Sequence, residues 1–249
     1  LSFLGVMVLI GSMLLATRII GQSRIEIVIK SSWFVAVVGS ATVLVMQAPY
    51  ALGSSLSDSV SVTSVRQVLE TRLGAWLTIR AVILLLFLLI IWKRDLHQKP
   101  IWRMATTILS IVLFATFSIS GHPGMRQFSA LSIGTDIVHF LCVAVWMGGL
   151  VTIVLLGRKW QSESPKVIAW FSFNATIAMP IMVATGVAQA WRMMEGFQNL
   201  FSTTYGTVLS IKVVLVVIAI AAGTKARQIF KDKKVDSEDL KKIKFSKTI

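Results

Sequence analysis

The chain has 249 residues, of which 55% are hydrophobic and 14% charged, and it carries a formal net charge of +14. That balance excludes a soluble globular domain of this length, which would expose far more charge, and places the chain in the membrane class. The excess of Lys and Arg does not form a nucleic-acid surface, because the cations sit between apolar runs and in the C-terminal tail.

A helix that crosses a bilayer needs about 20 apolar residues. Seven such stretches succeed one another at about 1–17, 26–50, 73–92, 102–121, 135–157, 167–191 and 205–229. The first residue is Leu1 rather than Met, so a segment upstream is expected and no signal peptide can be read. The loop after the first span holds Arg18, Arg24 and Lys30, and the loop after the third holds Lys93, Arg94, Lys99 and Arg103. After the fifth come Arg158, Lys159 and Lys166, and the tail from Lys225 onward is the richest in lysine. The alternate loops are poor in cations, with Arg66 and Arg72, then Arg126, then Arg192. Basic short loops stay in the cytoplasm, so the N-terminus is expected outside and the C-terminus inside. The expected fold is an all-α polytopic membrane bundle over residues 1–229, followed by a basic cytoplasmic tail over 230–249.

Two segments read alike: TRLGAWLTIRAVIL from Thr71 and TTYGTVLSIKVVLV from Thr203 both fit T-x-x-G-x-x-L-[TS]-I-[RK]-x-V. MQA (46–48) and AQA (188–190) precede them, and Gly11 and Gly149 hold comparable places in spans one and five. Spans one to three would then correspond to five to seven and enter the membrane in the same direction, a parallel repeat of the kind found in transporters. Arg80 and Lys212 occupy matched places within it. Each reads either as a cation reaching for headgroups or as a counter-charge for Asp136 or an anion in a central cavity.

With this orientation, chemistry gathers at the outer surface. His122 and Met125 come after span four, Asp136 and His139 open span five, and Met193 and Met194 end span six, with Met46 and Gln47 ending span two. His97 falls on the cytoplasmic side. Residues three and four apart share a helix face, so Asp136, His139, Val143 and Trp146 form one stripe with Cys142 beside it. At the helical rise, Cys142 lies roughly 9 Å and Met147 about 16 Å below Asp136. Thiolate and thioether select soft Cu(I), imidazole suits several transition metals, and a carboxylate beside a histidine commonly orients it. His122, with Pro123 and Gly124 shaping the turn, could close over the same site. Set against this, a histidine at a helix mouth can simply be wetted, and Cys142, Met147, Met193 and Met194 can simply pack. Trp146 and the Gly148–Gly149 pair suit close helix packing, because small residues let backbones approach.

The motifs resemble a known family. Gly121-His122-Pro123, succeeded by D-x-x-H-x-x-x-x-x-x-W-x-G-G-L from Asp136, is similar to the copper resistance protein D family of bacterial membrane proteins. FSFNATIAMPIMVATGVAQA and TTYGTVLSIK resemble that family's later segments, marking Phe171, Ser172, Gly186, Tyr205, Gly206 and Lys212. The resemblance covers essentially all spans. It implies an inner-membrane protein that moves copper from the periplasmic side into the cytoplasm, beside or fused after an extracytoplasmic copper-binding domain of the copper resistance protein C type. Span one carries no histidine or carboxylate opposite His139, so the two halves of the repeat are not chemically equivalent.

The leading expectation is copper transport, with import the expected direction, through an outer-face site of His122, His139, Asp136, Met125, Cys142, Met147, Met193 and Met194. No P-loop or phosphorylated-aspartate motif is present in the sequence, so any transport would be passive or ion-coupled. A haem-binding electron carrier is the second reading, with His122 and His139 on opposite sides of a ring. A non-transporting membrane partner of an extracytoplasmic copper domain is the third. An enzyme is not expected, because the spans hold no nucleophile–base pair and no paired carboxylates.

Overall fold

The computed structural model describes residues 1–18, 23–52, 55, 60–93, 99–121, 129–157, 165–193, 203, 206–218 and 220–221. Every regular element among them is helical: α1 (Ser2–Ala16), α2 (Ser23–Leu52), α3 (Val62–Leu69), α4 (Arg72–Trp92), α5 (Pro100–Ser120), α6 (Ser129–Val143), a π-turn (Ala144–Gly148), α7 (Gly149–Leu156), α8 (Pro165–Met193) and α9 (Gly206–Ile218). Helices are the expected outcome, since a backbone in lipid must satisfy its own hydrogen bonds. Five stretches among them are long and apolar enough to cross a membrane: Arg24–Tyr50, Arg72–Trp92, Pro100–Ser120, Ala130–Leu156 and Pro165–Arg192. They correspond to the second to sixth expected spans. The first and seventh correspond to the shorter apolar helices α1 and α9. With 15 residues, α1 reaches only about 22 Å at the helical rise.

The chain divides by packing into Leu1–Gln189 and Ala190–Ile249. In the first unit α1 is the most enclosed helix: Val6, Leu9, Met13 and Leu15 are all buried. It lies against α2 on one side and against the π-turn and α7 on another. The α2 contact includes a 2.7 Å hydrogen bond between the Ser2 and Ser40 hydroxyls. At the π-turn the approach is closer: a Cβ on Gly11 would lie 2.5 Å from Gly149 N and 2.6 Å from Ala144 O. A Cβ on Gly148 would collide with the Met7 carbonyl oxygen. The close-packing reading of Gly148 and Gly149 is therefore met, and their partner is Gly11. Phe87, Phe114, Leu84, Leu113 and Leu156 complete the core. Trp33 Nε1–H ties α2 to α4 by donating to the Leu84 carbonyl at 2.8 Å.

Two features depart from the expected chain course. The segment between the second and third spans, expected as a plain loop, contains α3. Its N-cap is Ser61, whose Oγ accepts the Ser64 N–H at 3.2 Å, and Val68 turns inward. The fifth span is interrupted by the π-turn Ala144–Gly148, where Thr152 Oγ1 donates to the Gly148 carbonyl at 2.7 Å.

Helix α4 starts at the N-cap Thr71, whose Oγ1 accepts the Gly74 N–H at 3.1 Å. In the second unit, Thr203 Oγ1 accepts the Gly206 N–H at 3.0 Å at the start of α9. Both copies of T-x-x-G thus open a helix through the same local bond.

Candidate functional site

Asp136, His139 and Arg80 are each held by contacts between neighbouring helices. Asp136, on the second turn of α6, is 6% exposed, and one carboxylate oxygen, Oδ2, accepts the Ser118 hydroxyl of α5 at 2.9 Å. Ser118 is itself buried. A buried carboxylate requires such donors, because desolvation without hydrogen bonds is prohibitive.

His139 lies three residues further along α6 and turns to a different neighbour. Its Nδ1 is 3.0 Å from the Met182 carbonyl oxygen and 3.0 Å from Thr185 Oγ1, both on α8. The ring rests where Gly186 leaves room: a Cβ there would lie 3.2 Å from His139 Cε1. α6 therefore uses Asp136 to meet α5 and His139 to meet α8. Their spacing of three sets these residues side by side on α6, while each is drawn to a separate helix.

Below them, Phe3 of α1 makes edge-on contacts with Phe114, Phe117 and Phe140, at ring separations of 6.2, 5.3 and 4.8 Å. This cluster gives the polar stripe an apolar floor. The Arg80 guanidinium carbon sits 3.6 Å from the centre of the Phe117 ring. Arg80 is 3% exposed. Its Nε–H donates to Thr116 Oγ1 at 3.1 Å and Nη2–H to the Thr116 carbonyl at 3.3 Å. Buried there, Arg80 ties α4 to α5.

Cys142 is half-buried, as is Met147 within the π-turn. The α-helical register that aligns Asp136, His139 and Val143 ends at Val143, so Trp146 does not simply extend the stripe as the sequence pattern suggested. A π-turn inserts one residue into the helical ladder and re-aims the side chains beyond it. Gly149 packs on Phe171 of α8, where a Cβ would come 2.5 Å from the ring edge. Among the described residues no group of three or more His, Cys, Asp and Glu converges as a metal site. His122, Met125 and Met194 lie outside the described residues, as does His97; Met193 closes α8. The residues that sequence reasoning missed are Ser118, Met182 and Thr185. Gly186 was marked by motif alone, with no role attached.

Apolar helices of spanning length, with charged side chains turned into helix–helix contacts, define a multi-pass helical membrane protein. Residues 1–129 match the family described as copper resistance protein D-like, N-terminal domain, and residues 165–240 the one described as copper resistance protein D. The chain belongs to this copper resistance protein D family. It is 24% identical over 206 residues to the inner membrane protein YebZ of Escherichia coli K12, a match covering 80% of this chain and 69% of that one. It is 27% identical over 124 residues to the copper transport protein CutJ of Bacillus subtilis 168, covering 48% of this chain and 23% of that protein. No solved structure matches. Family and relatives together support a role in copper handling.

Proposed function

We propose that this chain imports copper across the bacterial cytoplasmic membrane, taking the ion at an outer-face site around Asp136 and His139. The observation that carries the reading is the placement of a carboxylate and an imidazole one turn apart on α6, each hydrogen-bonded to a neighbouring helix. Ionisable groups inside a membrane bundle are costly and mark ion paths. The names of the relatives, an inner membrane protein and a copper transport protein, agree with the location and the cargo. The sequence offers His122, Met125, Met193 and Met194 as further candidate donors, and Cys142 and Met147 would be softer donors further along the span of Asp136 and His139. Copper is the cargo of this site, and the protein acts by transport rather than catalysis.

The bundle has seven spans with the N-terminus outside, α1 and α9 being the first and seventh. The loop cations favour this orientation. The matched N-caps Thr71 and Thr203, and the contact of Gly11 with its repeat counterpart Gly149, favour a parallel duplication. An extracytoplasmic copper-binding domain of the copper resistance protein C type would supply the ion.

The test is copper accumulation in cells expressing the chain, against His122→Ala and His139→Ala variants at equal membrane levels. Higher accumulation with the parent, lost in both variants, is the expected result. Accumulation that does not change on expression of the parent overturns import.

A further inference from the structure

Two arginines at one end of the bundle are held by contacts that involve no carboxylate. Arg18 follows the last turn of α1, and its guanidinium carbon lies 5.0 Å from the centre of the Trp170 ring on α8. Arg24 stands in the first turn of α2, and its Nη1–H donates to the Leu156 carbonyl at 3.3 Å. That carbonyl belongs to the last turn of α7, where the chain leaves the helix through Gly157. Arg24 therefore caps the negative end of α7. The core at this end includes Leu15, Ala16, Ile25 and Leu156. It is remote from the polar stripe of α6: Leu156 lies about 30 Å along the span from Asp136 at the helical rise.

Each contact uses one part of a guanidinium and spares another. Trp170 takes the flat face of Arg18, which leaves the N–H edges for oxygen acceptors. The Leu156 carbonyl takes Nη1 of Arg24, which spares the Nε–Nη2 edge, the fork that matches two phosphate oxygens. Both side chains are exposed. Among the described residues the salt bridges are Lys30–Glu26 and Arg66–Glu70, so neither of these arginines is in one.

The adjoining surface is apolar. Ile27 shares the face of Arg24 three residues on and is 62% exposed. Val154 and Leu155, just before Leu156, are 63% and 59% exposed. In a membrane bundle such a surface meets acyl chains. The ligand that suits the whole region carries a phosphate at one end and hydrocarbon at the other. A free phosphate would meet only the cations.

We propose that Arg18 and Arg24, set by Trp170 and the Leu156 carbonyl, form a headgroup site for an anionic phospholipid of the adjoining leaflet. Basic sites between membrane helices recognise such headgroups, and each cation near the surface strengthens binding by about fivefold.

Native mass spectrometry of the delipidated chain in detergent tests the site, with no copper added. Phosphatidylglycerol and phosphatidylcholine are titrated separately, and the dissociation constant of the first bound lipid is read. Phosphatidylglycerol should bind more tightly. Arg18→Gln and Arg24→Gln should each weaken it by about fivefold and leave phosphatidylcholine unchanged. Arg66→Gln, which removes a cation paired with Glu70, should keep the parent value. Trp170→Leu keeps every charge and should weaken phosphatidylglycerol by about two- to fivefold; unchanged affinity there would overturn the role of the stacked geometry. Excess inorganic phosphate should not displace the lipid, and displacement would mean that the site takes a free anion instead. Equal constants for the two lipids, full retention in both arginine variants, or an equal loss in Arg66→Gln would overturn the site. The lipid selectivity of the parent stands as a test even where Arg24→Gln, having lost the cap of α7, does not fold.

Discussion

Gly11 of α1 and Gly148 of the π-turn meet where two helices cross with no side chain between them. A Cβ on the first would come within 2.5 Å of the neighbouring Gly149 nitrogen, and one on the second would strike the Met7 carbonyl. Without a hydrophobic drive between helices in lipid, such backbone proximity is what packing can exploit. The buried helix α1 is held here against the span that carries Asp136 and His139.

Gly11→Leu and Gly148→Leu should therefore force the helices apart, a cost of about 1–3 kcal/mol or more for overpacking. Reduced yield of monodisperse protein in detergent and a lower Tm are the expected outcomes. Gly134→Ala is the control, because a Cβ there meets nothing within 4 Å. It should stabilise α6 by about 0.5–1 kcal/mol.

Ser118→Ala removes a hydroxyl donor from the buried Asp136 carboxylate. Hydrogen bonds to charged groups contribute about 1.5–3 kcal/mol, so a loss of that order in unfolding free energy is expected in mixed micelles. Ser118→Thr, which keeps the hydroxyl, should lose less. Equal losses for Ala and Thr would show that volume, not the bond, matters at this position.

Arg80 and Thr116 should be energetically coupled. Arg80→Lys keeps the charge but loses the planar fork and its stacking on Phe117. A double-mutant cycle with Thr116→Val should return a coupling of about 0.5–3 kcal/mol. Additive losses would mean that the bond to Thr116 Oγ1 contributes little.

Thr71→Ala and Thr203→Ala should have matching effects, because each removes the same N-cap bond. The expected cost is about 1 kcal/mol apiece, read as faster amide exchange at Gly74 and Gly206. Serine at either position should restore protection.

Much of the site's support was not legible in the residue pattern. Asp136 and His139 stood out because ionisable residues are conspicuous in an apolar run, and their spacing of three put them on one helix face. Nothing in that spacing identifies Ser118 as the partner of one, or Met182 and Thr185 as partners of the other. The π-turn was equally hidden, since AVWMG has the composition of an ordinary apolar helix; it lies where Gly148 meets the Met7 carbonyl of another helix. α3 was missed because an eight-residue amphipathic helix is too short to show a period against its loop.

By itself the sequence determined what local chemistry determines. Long apolar runs become helices of membrane length because lipid offers no partner for an open backbone. T-x-x-G becomes an N-cap because the bond closes within four residues. The tertiary structure decided which helix receives each buried polar group: Ser118 for Asp136, α8 for His139, Thr116 for Arg80. Those choices depend on which backbones can approach, and that is set by glycines meeting across helices far apart in the chain, a relation no periodicity carries.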